Sequence, residues 1–358
     1  MGDAVLTEPQ QEPPTTSDAA AAETNEGRGG NGGPSRSRRS AGPILRTMAS
    51  KIWRLLVVLF LVSFATYALV DLLPGDPAIA ILGEGATEEQ LQIVRDDLEL
   101  DRPMPVRYVA WLGDVVTGDL GNSYRTNQPV WEAIQQRIPV SFELMAIAQV
   151  MALVFALPLG IAAAHRPGGW IDRASMSSGY GLIAMPPFIL GMLLIVIVSG
   201  WLGWLPAAGY VRLTENPMDN LRTVIMPSFT LAASLMAVYQ QLLRADMIGT
   251  LQKDYVLMAK AKGLTTRHIL LRHALRPSSF SLVTLAGLNM GRLIGGSVIV
   301  EVLFAIPGVG QLMVQSIYTR DFLVLQGVIL LVAVAYVVVN MLVDLAYTIL
   351  DPRVRANG

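Results

Sequence analysis

The chain has 358 residues, of which 52% are hydrophobic and only 15% are charged. Soluble domains carry roughly 25% charged residues, so this chain lacks much of the charge that keeps a soluble protein in solution. A formal net charge of −1 excludes a globally basic nucleic-acid-binding protein, and the absence of cysteine excludes disulfides and thiolate metal sites. The apolar residues come in long runs, which indicates a polytopic membrane protein.

The first fifty residues differ in composition from the rest of the chain. They are rich in Ala, Thr, Gly, Ser and Pro, with a glycine-rich run at 29–34 and a basic cluster at 36–39. Such a segment buries too little apolar surface to offset the entropy that a chain loses on folding. We predict that residues 1–50 form a disordered cytoplasmic tail.

Six apolar stretches are long enough to cross a hydrocarbon core of roughly 30 Å. They lie at 52–73, 142–164, 176–198, 228–243, 280–304 and 323–350. They predict an all-α fold with six transmembrane helices. Residues 51–73 form the first, and residues 140–355 form a core that holds the other five.

The distribution of basic residues predicts the orientation of these spans, because cytoplasmic loops carry an excess of Lys and Arg. Basic residues cluster before the first span, between the second and third, between the fourth and fifth, and after the sixth. These four regions fall on one side of the membrane if six spans alternate. We therefore expect both termini to be cytoplasmic.

The segment between the first two spans, residues 74–139, is long enough to have a structure of its own. Thr87 and Gln90 have the spacing of a capping box, and apolar residues recur at helical spacing after them. A second amphipathic stretch covers residues 106–116. We predict two helices that lie against the outer face of the membrane.

The cytoplasmic segment 244–277, between the fourth and fifth spans, contains a predicted pair of short helices. The first runs from Asp254 to Lys262 and ends at Gly263 as a left-handed cap. Thr265 or Thr266 can cap the second, which Pro277 closes. Small residues alternate with cations here, which suits close approach by another surface. On composition alone, an ordinary basic loop fits equally well.

Motifs along the chain resemble those of one family. They are Leu-Leu-Pro-Gly-Asp-Pro at 72–77, Gly-Asp-Leu-Gly-Asn-Ser at 118–123, Asp-Tyr-Val-Leu-Met-Ala-Lys-Ala-Lys-Gly-Leu at 254–264, Glu-Val-Leu-Phe-Ala-Ile-Pro-Gly-Val-Gly at 301–310 and Asp-Pro-Arg-Val-Arg at 351–355. Over residues 52–355 the chain resembles the inner-membrane permease subunits of ATP-binding-cassette importers. The resemblance is greatest to the branch that imports dipeptides, oligopeptides and nickel.

The third of these motifs is similar to the coupling loop of that family. The general pattern is Glu-Ala-Ala, three residues and then Gly, of which only Ala259 and Gly263 match here. Leu257 and Met258 depart from the pattern, as is usual in the peptide branch. The resemblance implies a surface for coupling to an ATPase that contains Asp254, Tyr255, Ala259, Lys260, Ala261, Lys262, Gly263, Leu264 and Arg267.

The resemblance also implies the partners of the chain in the plasma (inner) membrane. A second, homologous permease subunit would complete the pathway through the lipid bilayer, and an extracytoplasmic binding protein would deliver the substrate. Two cytoplasmic ATPase subunits would hold ATP and magnesium. The chain has no Gly-x-x-x-x-Gly-Lys-Ser/Thr phosphate-binding loop, so we expect it to bind no cofactor and to be no enzyme itself.

Polar residues inside the spans point to function, because charge in a bilayer is costly. Arg292 and Asn289, in the fifth span, are candidates for the pathway, where a cation could attract a peptide carboxylate. Alternatively, Arg292 pairs with Asp344 or Asp246 for a structural purpose. Further candidates are Pro186 and Pro187 for a kink beside the pathway, and Glu301 and Gly308 for contact with the binding protein. Alternatively, Glu301 simply lies at the membrane interface.

The favoured function is a permease subunit that imports short peptides. The same class of transporter moving nickel or another small solute is an alternative. A stand-alone secondary transporter or channel is a second alternative, but it predicts inverted repeats, and none is visible in the sequence. An intramembrane enzyme would need paired acids or a Ser/His set at one depth, which the spans do not offer.

Overall fold

The computed structural model describes residues 42–71, 77–83 and 85–350. Its helices are α1 (Gly42–Asp71), α2 (Pro77–Leu82), α3 (Glu88–Asp97), α4 (Met104–Thr117), α5 (Val130–Gln135), α6 (Ile138–His165), α7 (Trp170–Ala184), α8 (Pro187–Leu194), α9 (Pro217–Leu251), α10 (Asp254–Ala261), α11 (Thr266–His268), α12 (Leu275–Leu303), α13 (Val309–Thr319) and α14 (Phe322–Leu350). Two π-helical turns follow α8 and α11, at Ile195–Trp201 and Ile269–Ala274. The predictions for 1–41, 72–76 and 351–355 lie outside the described residues.

Four helical stretches in this part of the chain are long and apolar enough to cross a membrane. They are Val130–His165, Pro217–Leu251, Thr266–Leu303 and Phe322–Val343. A fifth consists of α7 and α8 with its π-helical turn, two pieces bent by 105°. The chain is therefore a polytopic helical membrane protein with four to five such spans.

The bend in the fifth stretch confirms the kink that was predicted at Pro186 and Pro187. Met185 has an extended backbone, with ψ of 122°, because a residue that precedes proline is disfavoured in the α region. Pro186 is also extended, and Pro187 then occupies the first position of α8, where its fixed φ suits a helix start.

Several predicted helix boundaries differ from those in the structure. α1 begins at Gly42, so residues 42–50, which were predicted to belong to the disordered tail, are helical. The fourth span begins at Pro217 and not at Ser228, because the side chain of Asn216 accepts hydrogen bonds from the backbone N–H groups of Met218 and Asp219. Pro277 does not end the helix before it. It lies shortly after the π-helical turn Ile269–Ala274, and the helical stretch Thr266–Leu303 continues through it.

The predicted outer helices are present as α3 and α4. Thr87 Oγ1 accepts a hydrogen bond from Gln90 N at 3.4 Å, and Gln90 Oε1 accepts one from Thr87 N at 3.0 Å, which confirms the capping box. In α4, the buried Tyr108 packs against aromatic rings of α1, and its hydroxyl lies 2.8 Å from Ser63 Oγ. This packing holds α4 against α1.

The core lies where α9 packs against α6, α7 and α12. Ala148, Ala152 and Ala156 of α6 are fully buried, and a Cβ at Gly160 would lie 3.2 Å from the carbonyl oxygen of Gln240 in α9. Small residues allow helix backbones to approach closely in a membrane, where helix packing depends on van der Waals contact. This close packing fixes the position of α9 and therefore of the segment that follows it.

Candidate functional sites

The segment between α9 and α12 folds as a helix pair around a glycine turn. Gly263 has φ of +77°, and its N–H group donates to Lys260 O at 3.0 Å, while Leu264 N–H donates to Ala259 O at 3.3 Å. These two bonds form a Schellman motif, which satisfies carbonyl groups at the end of α10. The predicted left-handed cap at Gly263 is confirmed.

Ala259 lies inside this helix pair and not on its surface. Its side chain is only 6% exposed and packs with Val256, Ile269 and Leu251. The resemblance places Ala259 on the surface for coupling to an ATPase, and this is wrong for its side chain, because the two helices pack against each other through it. Gly263 is exposed, and a Cβ there would have no heavy atom within 4 Å, so space within this chain does not restrict that position.

The outer surface of α10 and the following turn combines exposed apolar and basic side chains, and we call it the coupling face. Its apolar members are Tyr255, Leu257, Met258 and Leu264, and Met258 is 60% exposed. Its basic members are Lys260, Lys262 and Arg267, which are exposed together with Asp254 and Ala261. A contiguous exposed apolar surface outside the spans is typical of a protein–protein contact.

A partly buried ion pair lies close to this segment, near the end of α9. Both Arg244 Nε and Nη2 donate to the carboxylate of Asp172, the second over 2.7 Å to Oδ2, and Gly168 N donates to the same oxygen at 2.7 Å. The pair connects the start of α7 to the last part of α9. Bidentate pairing fixes the geometry as well as the charge. Sequence reasoning missed it because the partners are 72 positions apart.

The pathway candidates in α12 point in different directions. Asn289 is 3% exposed, so it does not line an open path in this chain. Arg292 is exposed in this chain. Among the described side chains, Arg292 forms no ion pair with Asp246. The side chain of Asp344 lies outside the described residues.

Glu301 and Gly308 are buried, which is inconsistent with the predicted direct contact with a binding protein. Glu301 is 0% exposed, and its carboxylate accepts hydrogen bonds from Ser141 Oγ at 2.7 Å and from Gln311 N at 3.1 Å. Ser141 Oγ in turn accepts from Val309 N at 2.8 Å. A carboxylate at a helix N-terminus satisfies free N–H groups, so Glu301 caps α13 from the end of α12.

Sequence reasoning also missed Glu143, an acidic residue within the apolar helix α6. Its Oε2 accepts a hydrogen bond from the hydroxyl of Tyr210 at 2.7 Å. An acid inside a span was the available signal, since such a residue is a functional candidate by default. In the described part of the chain, no group of three or more His, Cys, Asp or Glu side chains could hold a metal ion.

Comparison with known proteins assigns the family. Residues 156–356 match the family of binding-protein-dependent transport system inner membrane components, and residues 44–145 match the N-terminal family of the same components. A peptide transport system permease protein of Brucella abortus is 39% identical over 298 residues, which cover 83% of this chain and 95% of that protein.

Two further relatives have similar coverage. A peptide ABC transporter permease protein of Sinorhizobium fredii is 35% identical over 312 residues, which are 87% of this chain and 98% of that protein. The glutathione transport system permease protein GsiC of Pectobacterium atrosepticum is 36% identical, over 87% of this chain and 99% of its own length. The chain therefore belongs to the family of binding-protein-dependent transport system inner membrane components, and it is a permease subunit of an ATP-binding-cassette importer and not an enzyme.

Proposed function

We propose that this subunit forms half of the translocation pathway of an importer of short peptides. The observation that carries the proposal is the coupling face, an apolar and basic surface on a helix pair that is fixed to the core. Two relatives are named as peptide permeases and a third as a glutathione permease, which supports a peptide-like substrate.

The proposed complex contains a second permease subunit, two ATPase subunits that hold ATP and magnesium, and a binding protein. The coupling face is suited to an ATPase because its segment lies directly between the spans α9 and α12. A rigid-body movement of the ATPase would therefore move both spans, and the Arg244–Asp172 pair would pass part of that movement to α7.

We further propose six spans with both termini in the cytoplasm. The four long stretches and the bent pair α7–α8 supply five, and α1, with its apolar stretch Leu55–Leu69, supplies the sixth. This topology places Glu99 outside and Lys260 inside. Reporter fusions at these two positions should report opposite sides of the membrane, and the same side for both would contradict the topology.

Arg292 is the described pathway candidate that we retain, because it is exposed in the single chain and could lie on a path that a second permease subunit completes. Its charge would attract the carboxylate of a peptide. Changing Arg292→Met keeps the bulk and removes the charge, whereas Arg222→Met removes an exposed charge that pairs with Asp219.

One uptake experiment tests both the function and the role of Arg292. The complete transporter in proteoliposomes should accumulate a labelled dipeptide only with ATP inside and binding protein outside. We expect Arg292→Met to slow this uptake about tenfold or more, in line with the loss of a charge-assisted interaction, and Arg222→Met to leave it unchanged. Absence of dipeptide uptake by the wild type would contradict the peptide assignment, and normal uptake by Arg292→Met would contradict the pathway role.

A further inference from the structure

A cavity of about 460 Å³ lies beside the first turns of α6 and contains polar groups of both charges. Its polar lining consists of Gln136 and Glu143, which flank the start of the helix, and Tyr210, Arg212 and Thr214 from the loop between α8 and α9. The volume falls in the range of small-molecule pockets, roughly 300–1,000 Å³. No function considered so far uses this cavity.

Glu143 is the unusual member of this lining. It belongs to the apolar stretch Val130–His165, which is long enough to span the membrane. Tyr210 donates to its Oε2, but its Oε1 is buried and has no hydrogen-bond partner among the described residues. A buried acceptor without a partner costs free energy, so a donor group of a bound ligand would be stabilised at this oxygen.

The loop that carries Tyr210 and Arg212 is fixed at both sides of these residues. Gly209 N donates to Phe304 O at 2.9 Å, and the side-chain amide of Asn220 donates to Val211 O at 2.8 Å. Burial and the bond to Glu143 raise the pKa of Tyr210, so its hydroxyl keeps its proton and remains a donor at neutral pH. These two hydrogen bonds therefore fix the loop backbone next to Tyr210 and Arg212, whose side chains line the cavity.

The two charges in the cavity do not neutralise each other directly. Both side chains line it, yet no ion pair of 4.0 Å or less joins Glu143 to Arg212 among the described side chains. Arg212 is exposed, whereas Glu143 is half-buried. A ligand with an ammonium group at one end and a carboxylate at the other can pair with both charges at once, which an uncharged solute or a simple ion cannot do.

We propose that this cavity binds the charged ends of a free peptide, with the ammonium group at Glu143 and the carboxylate at Arg212. The proposal rests on the proposed peptide import and adds a recognition site to it. In the proposed topology α6 starts on the outer side of the membrane, so a peptide released by a binding protein would meet this site before it enters the spans.

The test uses the complete transporter in proteoliposomes, with labelled alanyl-alanine and a large excess of binding protein. Glu143→Gln removes the charge but leaves a carbonyl oxygen that can accept the bond from Tyr210. We expect this variant to take up alanyl-alanine about tenfold more slowly than the wild type, with binding-protein-stimulated ATP hydrolysis within twofold of it. Arg212→Gln should also slow uptake with hydrolysis retained, and it covers the case in which Glu143→Gln does not assemble.

Glu215→Gln is the matched control, because Glu215 is exposed on the same loop but does not line the cavity. It should behave as the wild type. Tyr210→Phe removes the hydrogen bond and leaves the charge, so it measures the effect of loosening the loop alone. Equal loss of uptake and of hydrolysis in Glu143→Gln and Tyr210→Phe would show a structural anchor and overturn the proposal.

Wild-type uptake by assembled Glu143→Gln or Arg212→Gln would also overturn it, while leaving peptide import intact. A failure of the proposed function gives a different result. In that case the wild type itself accumulates no alanyl-alanine, although the binding protein stimulates its ATP hydrolysis.

Discussion

Replacing Gly263 by valine should uncouple this subunit from ATP hydrolysis without preventing its insertion into the membrane. Gly263 has φ of +77°, a conformation that costs an ordinary L-residue roughly 1–2 kcal/mol and is least accessible to β-branched residues. A valine would therefore break the Schellman turn and change the angle between α10 and α11. We expect stimulation of ATP hydrolysis by the binding protein to fall about tenfold or more. The reason is that a coupling face in the wrong orientation cannot transmit movement between the ATPase and the spans α9 and α12.

Gly263→Asn is the matched control for this experiment, because asparagine adopts the left-handed conformation more readily than other residues with a side chain. The structure leaves open space around the position, so the size of the new side chain is no obstacle within this chain. Coupling close to wild type in Gly263→Asn, with loss in Gly263→Val, would identify the backbone turn as the cause. Normal coupling in the valine variant would show that the turn is not needed.

The second large effect is expected at Gly308, where even a methyl group has no room. A Cβ there would lie 2.5 Å from both Glu301 Cδ and Ser141 Oγ, distances that real Cβ atoms do not adopt. Gly308→Ala must therefore displace the carboxylate that caps α13. Overpacking alone costs typically 1–3 kcal/mol, and the lost hydrogen bonds of a buried carboxylate add to it.

We expect purified Gly308→Ala to melt at a lower temperature than the wild type and to accumulate less in membranes. Gly295→Ala is the control, because Gly295 lies in α12 and a Cβ there would have no heavy atom within 4 Å. Similar melting temperatures for Gly308→Ala and the wild type would mean that the Glu301 cap adjusts without cost.

Features that depend on a few neighbouring residues were predictable from the sequence. The capping box at Thr87 and Gln90 and the turn at Gly263 each involve residues only three to five positions apart, so local spacing reports them directly. The break at Pro186 and Pro187 follows from the missing N–H group and fixed φ of proline.

Features that depend on distant residues were not predictable in this way. In the sequence, Glu301 looks like a surface residue at the end of a span. In the structure it is buried, because α13 and Ser141, which is 160 positions away, pack against it. Glu143 and Tyr210 are 67 positions apart. Ala259 was misassigned because its sequence spacing does not reveal that Ile269 packs over it. Such contacts form only when whole helices pack together, so local sequence spacing does not reveal them.

The docking of an ATPase on the coupling face is the central claim, and the absence of native cysteine allows a direct test. Met258→Cys places one thiol on this face at a position that is 60% exposed in the isolated chain. The rate at which a maleimide labels this thiol from the side that we propose to be cytoplasmic should fall about tenfold or more when the ATPase subunits are assembled, because a packed interface excludes the reagent. Glu99→Cys, in the segment that we propose to lie on the opposite side, should be labelled from that side at the same rate with or without the ATPase subunits. Equal labelling of Met258→Cys in the free subunit and in the assembled complex would contradict the claim.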